Sequence, residues 1–199
     1  MVALEEIFRG GNLLRVISGT AKGRALYAPN GLAARPTAAM AREALFNVLN
    51  DVEGYTVLDL FAGTGAVGIE ALSRGAKSAV FVDISRENIE IVNKNIEKTG
   101  FIEKAEIYLQ DANRAAKSLL EKHRVFDIIY IDPPYDKSIE FLSEILKNVE
   151  AIMDVDGICI IERRKNDDVP EYGKLGFVEV KTKIYSGTSI TFLRKEEAE

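Results

Sequence analysis

Two short stretches hold residue types able to do chemistry together. The first is DLFAGTGAVG, residues 59–68, with the G-x-G-x-x-G spacing at Gly63, Gly65 and Gly68, and with Asp83 following Gly63 by 20 positions. Glycines at this spacing let a chain turn tightly after a strand and come close to a ligand. The amides opening the next helix favour an anion, and an acidic residue about 20 positions on accepts ribose hydroxyls. The second stretch is IDPPY, residues 131–135. Two prolines stiffen the backbone and remove two donors. What remains is a set of acceptors, the Asp132 carboxylate and the Pro133 carbonyl, beside the aromatic face of Tyr135.

The glycine pattern alone suits a dinucleotide as well as any other adenosine-bearing ligand whose carboxylate replaces the pyrophosphate. Asp59 separates the two. It precedes Gly63 by four residues, at the expected end of a strand. A carboxylate there repels a pyrophosphate and attracts a cation. S-adenosylmethionine carries an ammonium and a sulfonium, so it is the expected cofactor, with an NAD-dependent oxidoreductase as the competing reading. Capping of the loop or helix start is the plain structural alternative for Asp59. Asp83, at the next strand end, is expected on the ribose, or is simply a turn residue. Asp111 is expected to accept from the adenine amine, with Ile84 and Ala112 as apolar walls.

The Asp132–Tyr135 loop fits a planar substrate with an exocyclic amino group. The ring stacks on Tyr135 while the amine donates to Asp132 and Pro133, with Pro134 holding the loop rigid. Such an amine is a poor nucleophile because its lone pair is delocalised. Two acceptors orient it toward an activated methyl, so positioning supplies most of the catalysis. No metal is required.

These residues need a scaffold that brings strand ends to one edge. From residue 54 onward, short apolar runs alternate with amphipathic stretches. The runs YTVLDL, SAVFVD, AEIYLQ, FDIIYID and GICIIE read as strands. Between them, helices are expected over residues 65–73, 87–98, 112–122 and 138–149. This alternation calls for a Rossmann-like α/β fold, a mostly parallel sheet covered on both faces. FVEVKTKIY and SITFLR, joined by Ser186-Gly187-Thr188, read as an antiparallel C-terminal hairpin. Upstream, residues 14–53 are expected to form a small β-hairpin around GTAKG and a helix over 38–50, with Met40, Leu45, Val48 and Leu49 on its apolar face. Residues 1–13 read as a flexible extension or tag, and residues 54–195 as the catalytic domain.

The 199 residues are 47% hydrophobic and 29% charged, with net charge −5. The charge is uneven. Residues 14–45 set Arg15, Lys22, Arg24, Arg35 and Arg42 against Glu43 alone. Those five cations could pair with nucleic-acid phosphates, with affinity that falls steeply as salt rises, and a solvated surface of uneven charge is the plain alternative. A single cysteine, Cys159, excludes an internal disulfide framework and reads as core. The lone histidine, His123, reads as a solvated surface residue. No signal peptide or membrane span is legible, so cytoplasmic residence is expected.

DLFAGTG, the strand-end Asp83 and DPPY resemble the class I S-adenosylmethionine-dependent methyltransferases, whose seven-stranded sheet ends in an antiparallel hairpin. RVISGTAKGRAL, GLAARPT and REALFNVL further resemble the RsmD family, which methylates N2 of a guanine at position 966 of bacterial 16S ribosomal RNA. The resemblance runs from about Arg15 to Leu193. It implies that Asp59, Gly63, Gly65, Asp83 and Asp111 bind the cofactor and that Asp132, Pro133, Pro134 and Tyr135 hold the guanine; Phe61, Ile84 and Ala112 complete the expected cofactor-binding set. It also implies that the N-terminal hairpin contacts RNA or closes over the cofactor. The implied substrate is ribosomal RNA within a partly assembled small subunit. Methylation of another amino group, such as adenine N6, is the alternative.

Overall fold

The structure, a computed structural model, describes residues 14–29, 36–134, 138–185 and 187–196. Tyr135 and Arg35, along with residues 1–13, lie outside them. Helix α1, Pro36–Leu49, precedes an alternating series: β1 Thr56–Asp59, α2 Ala66–Ser73, β2 Ser78–Asp83, α3 Arg86–Thr99, β3 Ala105–Leu109, α4 Ala112–Glu121, β4 Phe126–Ile131, α5 Ile139–Glu150 and β5 Met153–Arg164. The chain then closes with β6 Phe177–Tyr185 and β7 Thr188–Lys195. The sheet has seven strands in the order β3-β2-β1-β4-β5-β7-β6. Strands β1 to β5 pair in parallel, and β7 runs antiparallel between β5 and β6.

Alternation along the strands divides the core in two. Val57, Phe81, Ile128, Tyr130 and Ile160 face one side, where Leu45, Phe46, Ile69, Leu72 and Val92 of α1, α2 and α3 cover them. Leu58, Val80, Ile129 and Ile161 face the other, under Ala116, Leu119, Ile145 and Leu146 of α4 and α5. Burial on both faces explains why the central strands read as continuous apolar runs. Helix starts are set by local chemistry: Ser85 Oγ accepts from Asn88 N, Asp111 from Asn113 N and Arg114 N, and Ser138 Oγ from Phe141 N. Among the described residues no helix is long and apolar enough to cross a membrane.

Strand order reverses between β1 and β4. In open α/β sheets, ligands bind outside the carboxyl ends of strands at such a point. The ends of β1, β2 and β4 carry Asp59, Asp83 and Asp132.

Three expectations need correcting. The N-terminal hairpin is shorter than expected: one antiparallel bridge, Arg15–Ala25, with backbone bonds from Leu26 N to Leu14 O, Val16 N to Arg24 O and Gly23 N to Val16 O around a tight turn. Side chains from α2 and α3 also hold it. Met40 is 62% exposed, because the buried face of α1 is Ala41, Arg42, Leu45 and Phe46. Strand β5 begins at Met153 rather than Gly157, extending past a register shift opposite Phe126–Ile128.

Candidate active site

The glycine loop is shaped by backbone conformation and by packing. Gly63 and Gly65 have φ of 55° and 76°, the left-handed region that a side chain disfavours. At Gly68 a Cβ would lie 2.3 Å from the Phe81 ring, so only glycine lets α2 sit this close to β2. Buried Asn95, on α3, locks the loop from behind. Its Nδ2 donates to Thr64 O at 2.8 Å and to Tyr27 O at 3.0 Å, and its Oδ1 accepts from Tyr27 N at 2.7 Å. One side chain thereby ties the loop to the N-terminal segment.

Asp59 is 1% exposed. Its Oδ2 accepts from Gly68 N at 3.3 Å, and its Oδ1 is buried with no hydrogen-bond partner. Burial raises its pKa to about 7, with Asp83 adding to the rise and the Gly68 amide opposing it. A carboxylate so placed has capacity for a cationic donor. Asp83 Oδ2 accepts from Gly63 N at 2.9 Å and Asn88 Nδ2 at 3.0 Å, while Oδ1 accepts from Ser85 N at 2.8 Å. A carboxylate accepts about four bonds, so these three leave room for one ribose hydroxyl rather than both.

Ile84 is 73% exposed at the lip of the sheet, an apolar surface that a flat ring can cover. Ala112, expected as a second wall, is instead buried with Leu58 and Val82 in the core under α4. Asp111 spends Oδ1 on capping α4, and its Oδ2 makes no hydrogen bond among the described residues. Phe61 is half-buried, its ring 6.4 Å from that of Phe141.

After β4, Asp132 and Pro133 are half-buried and Pro134 is exposed. Both prolines line a small pocket with Ser138, Ile139, Leu142, Arg163, Asp167 and Asp168. Asp132 has company that sequence reasoning misses. Tyr130 Oη donates to Glu162 Oε2. Ile131 pairs with Ile161, so Asp132 and Glu162 leave neighbouring strands side by side. Burial raises the Asp132 pKa well above the carboxylate range, with Glu162 and then Asp59 adding to it. Glu162 is also raised, by burial, against the Tyr130 hydrogen bond. Tyr130 is raised by burial and by the three carboxylates around it. The strand-end pattern used for Asp59 and Asp83 also fits Glu162 at the end of GICIIE. Tyr130, two residues before Asp132, shares its face.

The expected RNA-contacting residues divide. Arg15, Lys22 and Arg24 are exposed. Arg15 donates to Gly23 O at 2.8 Å and Arg24 to Lys98 O at 2.7 Å, which fixes both side chains at the surface. Arg42 is not part of that surface. It is 6% exposed, donates to Arg15 O at 2.6 Å and lies 3.8 Å from Glu70. Helix α1 turns it inward because buried Glu70 needs a counter-charge. Glu70 also accepts from Ile17 N, Ser18 N and Arg74 Nε. Cys159 is buried, and His123 is exposed. Among the described residues, no group of three or more His, Cys, Asp or Glu is arranged to hold a metal ion.

Comparison with known proteins agrees with this architecture. The model of a family described as conserved hypothetical protein 95 matches residues 14–194. The "Putative rRNA methyltransferase YlbH" of Bacillus subtilis is 34% identical, over 92% of this chain and 99% of its own length. The "Ribosomal RNA small subunit methyltransferase D" of Escherichia coli is 34% identical, over 65% of this chain and 64% of its own. Among solved structures, "Putative methyltransferase yhhF" from Escherichia coli superposes with a TM-score of 0.76 at 26% identity, covering 94% of this chain and 99% of that one.

Proposed function

Since the chain belongs to the family described as conserved hypothetical protein 95, we propose that it transfers a methyl group from S-adenosylmethionine to the exocyclic N2 of a guanine in small-subunit (16S) ribosomal RNA. Relatives named as ribosomal RNA methyltransferases support the substrate class. The observation that carries the reading is Asp59, a buried carboxylate with one oxygen unpartnered, on the strand between those that lead to Asp83 and to the Asp132 loop.

The residues present fit the cofactor. Gly63 and Gly65 would approach its methionine portion, and Asp59 would accept from its ammonium. Asp83 would take one ribose hydroxyl, Ile84 would cover the adenine, and Asp111 Oδ2 would accept from the adenine amine. Bound there, the cofactor would supply an activated methyl on a cationic sulfur, with a neutral thioether as the leaving group. Asp132 and the Pro133 carbonyl orient the guanine amine, and Tyr135 is proposed to stack on the ring. Asp132 then takes the amine proton, a step favoured by the burial and neighbouring charge that raise its pKa.

Arg15, Lys22 and Arg24 would meet phosphates, joined in this proposal by Arg35. A partly assembled small subunit is the proposed partner, since it supplies a folded RNA surface to a chain of net charge −5. The target base must leave its stack, which favours a loop nucleotide. Titration with S-adenosylhomocysteine and with NADH tests the cofactor directly. Saturable binding of the first alone is expected, and binding of NADH alone would return the oxidoreductase reading.

A further inference from the structure

Asp132 is one of two acceptors at the end of the sheet. Glu162 stands beside it, carried by β5, which pairs with β4 one residue earlier at Ile131–Ile161. Tyr130 Oη holds Glu162 Oε2. Glu162 Oε1 makes no hydrogen bond among the described residues, and the residue is half-buried, not sealed in the core. On the same face, Asp59 contributes a third carboxylate, 1% exposed, with Oδ1 unpartnered. The site is therefore rich in acceptors, and the described cations near it are already engaged: Arg42 with Glu70 and Arg15 O, and Arg163, beside the two prolines, with Arg164 O and Asp167 O.

We infer that Glu162 is a specificity-determining residue that accepts the N1–H of the target base while Asp132 holds its amine. This inference rests on the reading of the chain as a guanine-N2 methyltransferase. Guanine alone among the common bases presents a ring N–H next to an exocyclic amine on one edge. Adenine and cytosine place a ring acceptor beside the amine, and that acceptor would face a carboxylate. With Glu162 ionised, the neighbouring carboxyls match guanine and repel the other two, and because burial raises the Glu162 pKa this discrimination sharpens as pH rises. Tyr130 is the positioning residue, because its hydroxyl fixes one Glu162 oxygen and leaves the other for the base. Other charged or titratable groups around the pair are Asp59 on β1, Arg42 on α1, which feels the Tyr130 hydroxyl, and Arg163 beside the two prolines. A DPPY loop is shared by enzymes acting on several amino groups, so the choice of base has to come from a residue outside it.

The test uses 2-aminopurine, which keeps the 2-amino group of guanine but carries an acceptor at N1. Full-length protein is assayed on small-subunit RNA particles with guanine or 2-aminopurine at the methylated position. Wild type is expected to prefer guanine by at least ~100-fold in kcat/KM, as a site built to receive a donor rejects its absence. Glu162→Gln, whose amide can donate to N1, is expected to narrow that preference ~10-fold or more while binding S-adenosylhomocysteine at wild-type affinity. Tyr130→Phe is expected to narrow it less, with the loss in KM as well as kcat. Equal turnover of the two bases by wild type, or an unchanged preference in Glu162→Gln with cofactor affinity intact, overturns the role of Glu162. Absence of any methyl on guanine from the wild-type protein overturns the underlying reading as well.

Discussion

Asp59 and Asp132 are held in environments that penalise their charged forms, for different uses. Asp59 has its pKa raised to about 7 by burial, so its folded-state value lies above its unfolded one. Protonation therefore favours the folded state. That stability is fully present below the unfolded pKa and is lost as pH rises through about 7. Cofactor affinity moves the opposite way, because the cation needs the carboxylate. Asp59→Asn is expected to raise the melting temperature at pH 8, leave it nearly unchanged at pH 4, and weaken binding of S-adenosylmethionine at least ~10-fold. Calorimetry and titration at the two pH values check both halves. The stability gain at high pH is on the order of a few kcal/mol, from ~1.4 kcal/mol per pKa unit. At Asp132 the proposed role is to orient the amine and then take its proton. Asp132→Ala is expected to retain cofactor binding and to lose at least ~100-fold in methyl transfer, read in single-turnover assays. Much of this site is legible in the sequence, since strand-end acids and DPPY are local signals. Glu162 and Tyr130 do not stand out there, because the roles proposed for them depend on the pairing of β4 with β5, a long-range register.

At the scale of elements, α2 links the cofactor loop to the N-terminal segment. Its first turn follows Gly65 and accepts the close approach of β2 at Gly68, and its Glu70 gathers Arg42, Arg74 and the amides of Ile17 and Ser18. Removing one member of such a buried set leaves the rest uncompensated. Glu70→Ala is expected to destabilise by about 3–5 kcal/mol in denaturant titration. It is also expected to free residues 14–29 to exchange amide protons faster. The alternation of strands and helices, and all seven strands, can be read from apolar periodicity to within a few residues. The N-terminal hairpin is legible too, from the turn-rich GTAKG between its flanks, but what holds it to the body is not. Its anchors are Glu70 and Asn95, on helices 50 to 70 residues away in sequence, and no local pattern announces them. Arg42 misleads for the same reason, since a cation in a basic segment looks solvent-facing until its buried partner is known.

Over the whole molecule, the negative strand-end crevice and the exposed cations of the N-terminal turn are proposed to serve two ligands of opposite charge. The crevice is suited to a positive donor and the turn to phosphates. Lys22→Ala with Arg24→Ala is expected to weaken RNA binding and to flatten its dependence on salt, by about 1 in log–log slope for each phosphate no longer neutralised, with cofactor affinity unchanged. A slope unchanged in filter binding from low to high salt would move the RNA to another face. The central claim, a cationic methyl donor set against a guanine amine, is tested most directly by nucleoside mass analysis. Small-subunit particles from cells lacking the protein are incubated with it and isotopically labelled S-adenosylmethionine, then digested. The account predicts label in N2-methylguanosine from wild type and at least ~100-fold slower labelling by Asp132→Ala. Label on another base, or equal labelling by the variant, would contradict it.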